Sequence, residues 1–365
     1  MQTEQALRTE ADVQKFLARV AEAFAAKPFQ PHPRFKSGNA QTLAAWAWPR
    51  RFRLRRLPPD EERLFETEPN VKVLGHCRWQ TDRRRHATMV IWHGMEGSTS
   101  SIYMIATAEK AFRAGFNVVR VNFRNCGGTE HLTPTLYHGG LSEDLRAVVN
   151  ELIEKDGLNR IFLLGFSLGG NMVLKLLAEY GEDAPSEVIA AGVVSPSVDL
   201  HASAESILSR ENWLYHKQFM VSLKSRIRFK QKLFPDRYDV SELPRIRTIR
   251  EFDEAFVAAA AGFKNADDYY YHASSLRVIA NIRIPTLIIH AEDDPFIPFE
   301  PLRNPVFAEN PYILMIATKR GGHVAFISSN PTNEDRFWAE NRAVEFFQLA
   351  NEHPYTKNTD YTESV

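Results

Sequence analysis

The chain has 365 residues, and its 45 lysines and arginines are balanced by 45 aspartates and glutamates. Hydrophobic residues make up 44% of it, enough to bury a sizeable core, which excludes a wholly disordered chain. Zero formal net charge gives no global electrostatic case for a nucleic-acid partner, and two cysteines, Cys77 and Cys126, cannot build a disulfide framework or a four-thiolate zinc site.

The opening MQTEQALRTE is polar and no apolar signal core follows it. No stretch reaches the ~20 apolar residues that cross a bilayer, so a cytoplasmic chain is expected, with peripheral membrane contact as the one membrane role left open. Val13, Phe16, Leu17, Val20 and Phe24 recur at helical spacing and predict a helix over residues 9–27. The proline-rich PFQPHPRF then reads as extended, so residues 1–50 are expected to be a helix and an extended lead-in. Extended segments are predicted at 51–57, 71–80 and 88–92. The basic runs at 50–56 and 83–85, with acids at 60–62 and 66 nearby, read as a solvated face.

From there helices and strands alternate. Helices are expected at 102–114, 145–157 and after 168, with strands at 117–122, 160–165 and 188–194. Residues 200–275 are aromatic, charged and mostly helical. Strands return at 285–290 and 312–317, and a last helix carries Phe337, Val344 and Phe347. This order predicts an α/β fold whose central sheet is mostly parallel and flanked by helices. Residues 51–199 and 276–352 would form the core, 200–275 a helical cap and 353–365 a flexible tail. Ligands in such sheets bind at the C-terminal ends of the strands.

Gly165-Phe166-Ser167-Leu168-Gly169 follows a strand and opens a helix, as a nucleophile elbow requires. Gly165 and Gly169 keep that turn small, and Ser167 would project at the sheet edge. A serine hydroxyl needs a base. His323 follows the last strand, in Lys319-Arg320-Gly321-Gly322-His323, and is the best placed. Three acids follow the preceding strand. Asp294 is expected to hold the imidazole and Asp293 to be solvated or capping. The oxyanion donors would be the backbone N–H groups of Leu168 and Met95, the second on the loop His93-Gly94-Met95-Glu96-Gly97-Ser98. His93 is expected to order that loop with Gly94, and Cys126 to be structural. No metal-ligand motif is present, and no cofactor is expected.

Together these residues resemble the α/β-hydrolase superfamily and, within it, the YheT-like abhydrolase-domain hydrolases (the AB hydrolase 4 family). HGMEGSTS resembles that family's oxyanion loop, NFRNCGG with Leu136-Tyr137-His138-Gly139 its Arg-x-Cys and Leu-Tyr-His segments, and GFSLGGN its nucleophile motif. Phe252-Asp253, Gly262-Phe263 and Asp268-Tyr269-Tyr270 resemble its cap signature. Gly38-Asn39-Ala40-Gln41-Thr42-Leu43 resembles a Gly-His-x-Gln-Thr motif, with Asn39 where the family has histidine. The resemblance spans about residues 35–350. It implies the α/β-hydrolase fold with a helical cap, and a serine hydrolase that cleaves short- to medium-chain or lipid-like acyl esters through Ser167, Asp294 and His323. An alcohol acyltransferase using the same triad, or a phospholipase, is the alternative.

Overall fold

The computed structural model describes residues 9–48, 50, 60–329 and 334–353. Helix α1 (Glu10–Ala25) begins at Thr9, whose hydroxyl accepts the Asp12 amide at 3.2 Å. Its predicted apolar stripe is its buried face. The lead-in departs from the extended expectation. Residues Gly38–Ala47 form a second helix, α2, with Ser37 as its N-cap. It buries Gly38 and Gln41, while Leu43 and Trp46 face outward. A helix held by a glycine and an amide shows no apolar periodicity.

Strand β1 (Glu61–Glu68) also carried no signal, because Phe65 is its one buried side chain. It turns through Asn70, at φ 65°, into the antiparallel β2 (Val71–Arg78). Acidic, half-exposed side chains suit an edge strand. Several ions in and beside it are paired: Arg63 binds Glu151 and Asp156, and Asp60, just before the strand, binds Arg78 and Arg120. Arg83 likewise reaches Asp156 at 3.0 Å. Of the 50–56 run, Arg50 meets Glu340 at 2.6 Å; positions 51–56, the predicted strand at 51–57 and the tail beyond 353 lie outside the described residues.

The remaining strands follow the predicted order: β3 (Thr88–Trp92), β4 (Asn117–Val121), β5 (Ile161–Phe166), β6 (Val188–Val194), β7 (Thr286–Ala291) and β8 (Ile313–Thr318). They pair as β1-β2-β4-β3-β5-β6-β7-β8, and β3 to β8 run parallel to one another. Residues of β3 to β7 are buried throughout, as strands covered on both faces must be. Alternate side chains feed two cores. Val90, Trp92 and Leu163 pack with α4 (Ser142–Glu154) and α5 (Leu168–Tyr180). Met89, Ile91, Phe162 and Leu164 pack with α1, α3 (Ile102–Arg113) and the last helix (Trp338–Glu352). Each such side chain contributes roughly 1.5–3 kcal/mol of burial. Phe337 caps that last helix rather than lying within it.

Between β6 and β7 the chain is helical: α6 (Leu200–Leu208), α7 (Trp213–Leu233), α8 (Ile249–Phe252) continued by a π turn (Asp253–Ala258) into α9 (Ala259–Ala261), and α10 (Ala266–Ala273). Asn171, in the first turn of α5, ties the C-terminal part of this connection to the loop before α4. Its amide donates to Gly139 O and Ala273 O at 2.8 and 2.9 Å and accepts Ser275 N–H at 2.8 Å. Among the described residues no helix is long and apolar enough to cross a membrane.

Candidate active site

β5 ends where the backbone must reverse into α5. Ser167 occupies that point at φ 54°, ψ −119°, a conformation that costs a non-glycine residue of order 1–3 kcal/mol. The turn survives because its neighbours are small. A Cβ on Gly169 would stand 2.5 Å from His93 O, and one on Gly165 2.4 Å from Gly169 O. A Cβ on Gly94 would stand 2.9 Å from Ser167 Cβ, so the loop after β3 can lie directly against the serine.

That loop is held at nearly every amide. Gly94 N–H donates to Tyr103 Oη at 3.0 Å, Glu96 N–H to Tyr137 Oη at 3.2 Å, and Gly97 N–H to Gly94 O at 3.0 Å. Ser98 and Thr99 donate to Ser101 Oγ and Asn122 Oδ1. Among the described residues, Met95 is the one amide in this stretch without an acceptor. Leu168 is the first helical residue of α5, so its amide has no turn before it to bond. His93 fixes the loop from beneath. Its Nε2 accepts the Phe123 amide at 3.1 Å, which puts the proton on Nδ1, donated to Gly94 O at 2.7 Å. Burial pushes its pKa down to about 4, against the Gly94 bond.

Glu96 continues the loop at φ 56°. Its carboxylate accepts Tyr137 Oη at 2.9 Å, the Ser222 hydroxyl, and both Nε and Nη2 of Arg226 on α7 at 3.1 and 3.0 Å. The loop and the helix above it are thus joined by one bidentate ion pair.

Asp294 and His323 come together. His323 Nδ1 meets Asp294 Oδ2 at 2.8 Å, while Oδ1 accepts the amides of Phe296 and Ile297 at 2.8 and 3.0 Å. Burial alone would raise the Asp294 carboxyl. The charge and hydrogen bond of His323, helped by His290 and the Ile297 amide, outweigh it and hold it below the usual carboxylate range. Phe296 packs on the imidazole with ring centres 4.7 Å apart. Asp293 turns away and caps the histidine loop, accepting Gly322 N–H at 3.0 Å.

The histidine loop is also held from α2, through residues to which sequence reasoning gave no role. Thr42 Oγ1 accepts the His323 amide at 2.9 Å, and Gln41 bonds Ile327 at both its amide and its carbonyl. The Gly-x-x-Gln-Thr pattern was the visible signal. Among the described residues, the Asn39 Oδ1 beside it is buried without a partner.

Ser167 lies where two cavities meet. One, of about 800 Å³, is mostly apolar and runs under α6, α8 and α10, past Leu200, Ile249 and Phe252. The other, of about 1410 Å³, is bordered by Gly94, Met95, Ser167 and His323 on one side and by α2 and α7 on the other. Among the described residues the Ser167 hydroxyl has no hydrogen-bond partner, which leaves it facing open space beside the imidazole's cavity. Asp253, on the π turn, lines the smaller cavity. Burial pushes its carboxyl up to about 7, against the Tyr270 hydroxyl that donates to it at 2.7 Å. Cys126 is buried, which pushes its thiol up and away from the reactive thiolate. Among the described residues no three His, Cys, Asp or Glu side chains are grouped to hold a metal ion.

Fold and motifs agree on a class: residues 87–329 match the α/β-hydrolase-fold family, and the chain belongs to it, among the YheT-like abhydrolase-domain hydrolases. It is 31% identical over 317 residues to YheT of Escherichia coli (strain K12), an esterase by assignment, covering 86% of this chain and 91% of that one. It is 32% identical over 264 residues to the monoacylglycerol lipase of Saccharomyces cerevisiae, covering 69% of this chain and 57% of the yeast protein. The esterase Pf2001 of Pyrococcus furiosus shares the fold at a TM-score of 0.53 and 19% identity, over 82% of this chain and 96% of that one.

Proposed function

We propose that this protein hydrolyses carboxylic esters of lipid-like acyl groups through an acyl-enzyme on Ser167. His323 takes the Ser167 proton as the oxygen attacks the ester carbonyl. Asp294 holds the imidazole in its Nδ1–H tautomer and stabilises the imidazolium. The carbonyl oxygen gains negative charge and is met by the N–H groups of Met95 and Leu168. The imidazolium then protonates the leaving alkoxide, and the alcohol departs. Water, deprotonated by His323, attacks the acyl-enzyme, and the acid and free serine result.

One observation carries this reading. A strained serine, an imidazole on a buried carboxylate and the open Met95 amide of a bonded loop border a single cavity. Residues 200–275 act as the cap, and the apolar cavity beneath them takes the acyl chain. The names of the bacterial esterase and the yeast lipase support the same class of substrate.

The test is labelling by a fluorophosphonate together with turnover of an acyl ester series. Wild type is expected to label and to turn over. Ser167→Ala is expected to do neither, with activity lower by about three orders of magnitude or more. A Ser167→Ala protein that matches wild type removes the proposal.

A further inference from the structure

The two helices that border the larger cavity, α2 and α7, carry apolar side chains that nothing in the described protein covers. On α2, Trp46 is 79% exposed and Leu43 52%. On α7, Trp213 is 57% exposed, Leu214 61% and Val221 57%. The two helices face each other over one opening. Thr42, Ala45 and Trp46 border it from one side and Gln218, Phe219 and Ser222 from the other, with Ser167 and His323 within. Large exposed apolar groups on two helices that border one opening mark an interaction site.

The charges select the partner. α7 packs inward through Met220, Leu223 and Ile227, and no acid occurs anywhere in Trp213–Leu233. Its outer face runs Leu214, Lys217, Val221, Lys224, Arg228 and Lys232, at spacings of three or four residues. Among the described residues, none of those cations has an ion pair. Other surface cations do, such as Arg113 with Glu109, Arg250 with Asp267 and Arg283 with Glu182. Cations interleaved with Leu and Val, and flanked by tryptophan, suit a helix lying in the headgroup layer of an anionic bilayer. The long stems of lysine and arginine let their charges reach phosphates while the apolar side chains enter the acyl layer.

We propose that the outer faces of α2 and α7 dock on an anionic phospholipid bilayer, so that the cavity holding Ser167 opens into lipid. This deepens the ester-hydrolase reading by naming bilayer-borne lipid as the source of substrate, and it rests on that reading for this purpose alone.

The full chain is pelleted with vesicles of phosphatidylcholine, and with vesicles of phosphatidylcholine and phosphatidylglycerol. It is expected to pellet with the second and not the first, and to be released by salt. Lys217→Glu with Lys224→Glu and Arg228→Glu is expected to weaken partitioning at least ~10-fold. Trp213→Ser with Leu214→Ser and Val221→Ser is expected to weaken it as much at unchanged charge. Both variants are expected to keep wild-type turnover of a water-soluble short-chain ester, which also reports that they fold. Wild type left in the supernatant with both vesicles overturns the proposal. So does a charge-reversed variant that pellets like wild type, or a dimer that the apolar substitutions abolish. Vesicle binding by Ser167→Ala is expected to equal that of wild type. Docking and Ser167-dependent hydrolysis therefore fail separately.

Discussion

The hydroxyl of Thr42 accepts the backbone N–H of His323 at 2.9 Å and donates to Gly38 O at 2.8 Å. A residue near the start of the chain thus sets the height of the loop that carries the imidazole.

Thr42→Val keeps the shape and leaves the His323 amide without its acceptor. An unpaired buried amide costs about 1–3 kcal/mol. On the proposed mechanism, the expected result is a kcat lowered ~10-fold or more at nearly unchanged KM, because the misplaced imidazole serves the transition state rather than ground-state binding. Thr42→Ser is expected to restore most of the rate. Steady-state kinetics on a soluble ester check both.

Arg226→Met strips Glu96 of its cation while Tyr137 and Ser222 still enclose the carboxylate. Leaving one buried ion of a pair uncompensated costs roughly 3–5 kcal/mol. A clear fall in Tm is expected, with loss of turnover as the loop bearing Met95 loosens. Adding Glu96→Gln removes the orphaned charge and is expected to recover part of the Tm, which thermal melts of the two variants read directly.

The Asp253 carboxyl gives a pH dependence with a definite sign. Its folded pKa, raised to about 7 by burial, exceeds the unfolded value of 3.8. The folded state therefore holds a proton that the unfolded state gives up. The stability this contributes is fully present below 3.8 and is lost as pH rises through 7. Asp253→Asn keeps an acceptor for Tyr270 and cannot ionise. The Tm of the variant relative to wild type is expected to be higher at pH 8 than at pH 5. The difference corresponds to roughly 1.4 kcal/mol per pH unit between 5 and 7. Equal differences at the two pH values would contradict it.

What the sequence made legible was what burial writes into it. β5 and β6 are unbroken apolar runs because both sheet faces are covered, and the glycines around Ser167 are there because Gly94, Gly165 and Gly169 each abut backbone or the serine itself. α2 was illegible for the opposite reason. Its inward side is Gly38 and the amide of Gln41, while Leu43 and Trp46 lie outside. β1 hid behind a single buried Phe65 among glutamates. The ion pair of Glu96 with Arg226 joins residues 130 apart in sequence, and no local pattern announces a partner at that distance.

Gln41 closes a similar gap. Its side chain grips the amide of Ile327, 286 positions downstream, on the loop that carries His323. During synthesis, that side chain has the nearby Phe35 O within reach, but its partners at Ile327 exist only once residue 327 has been made. The seat of the His323 loop is therefore completed only by contact between an early helix and a late segment, and a product that stops before residue 327 lacks that contact.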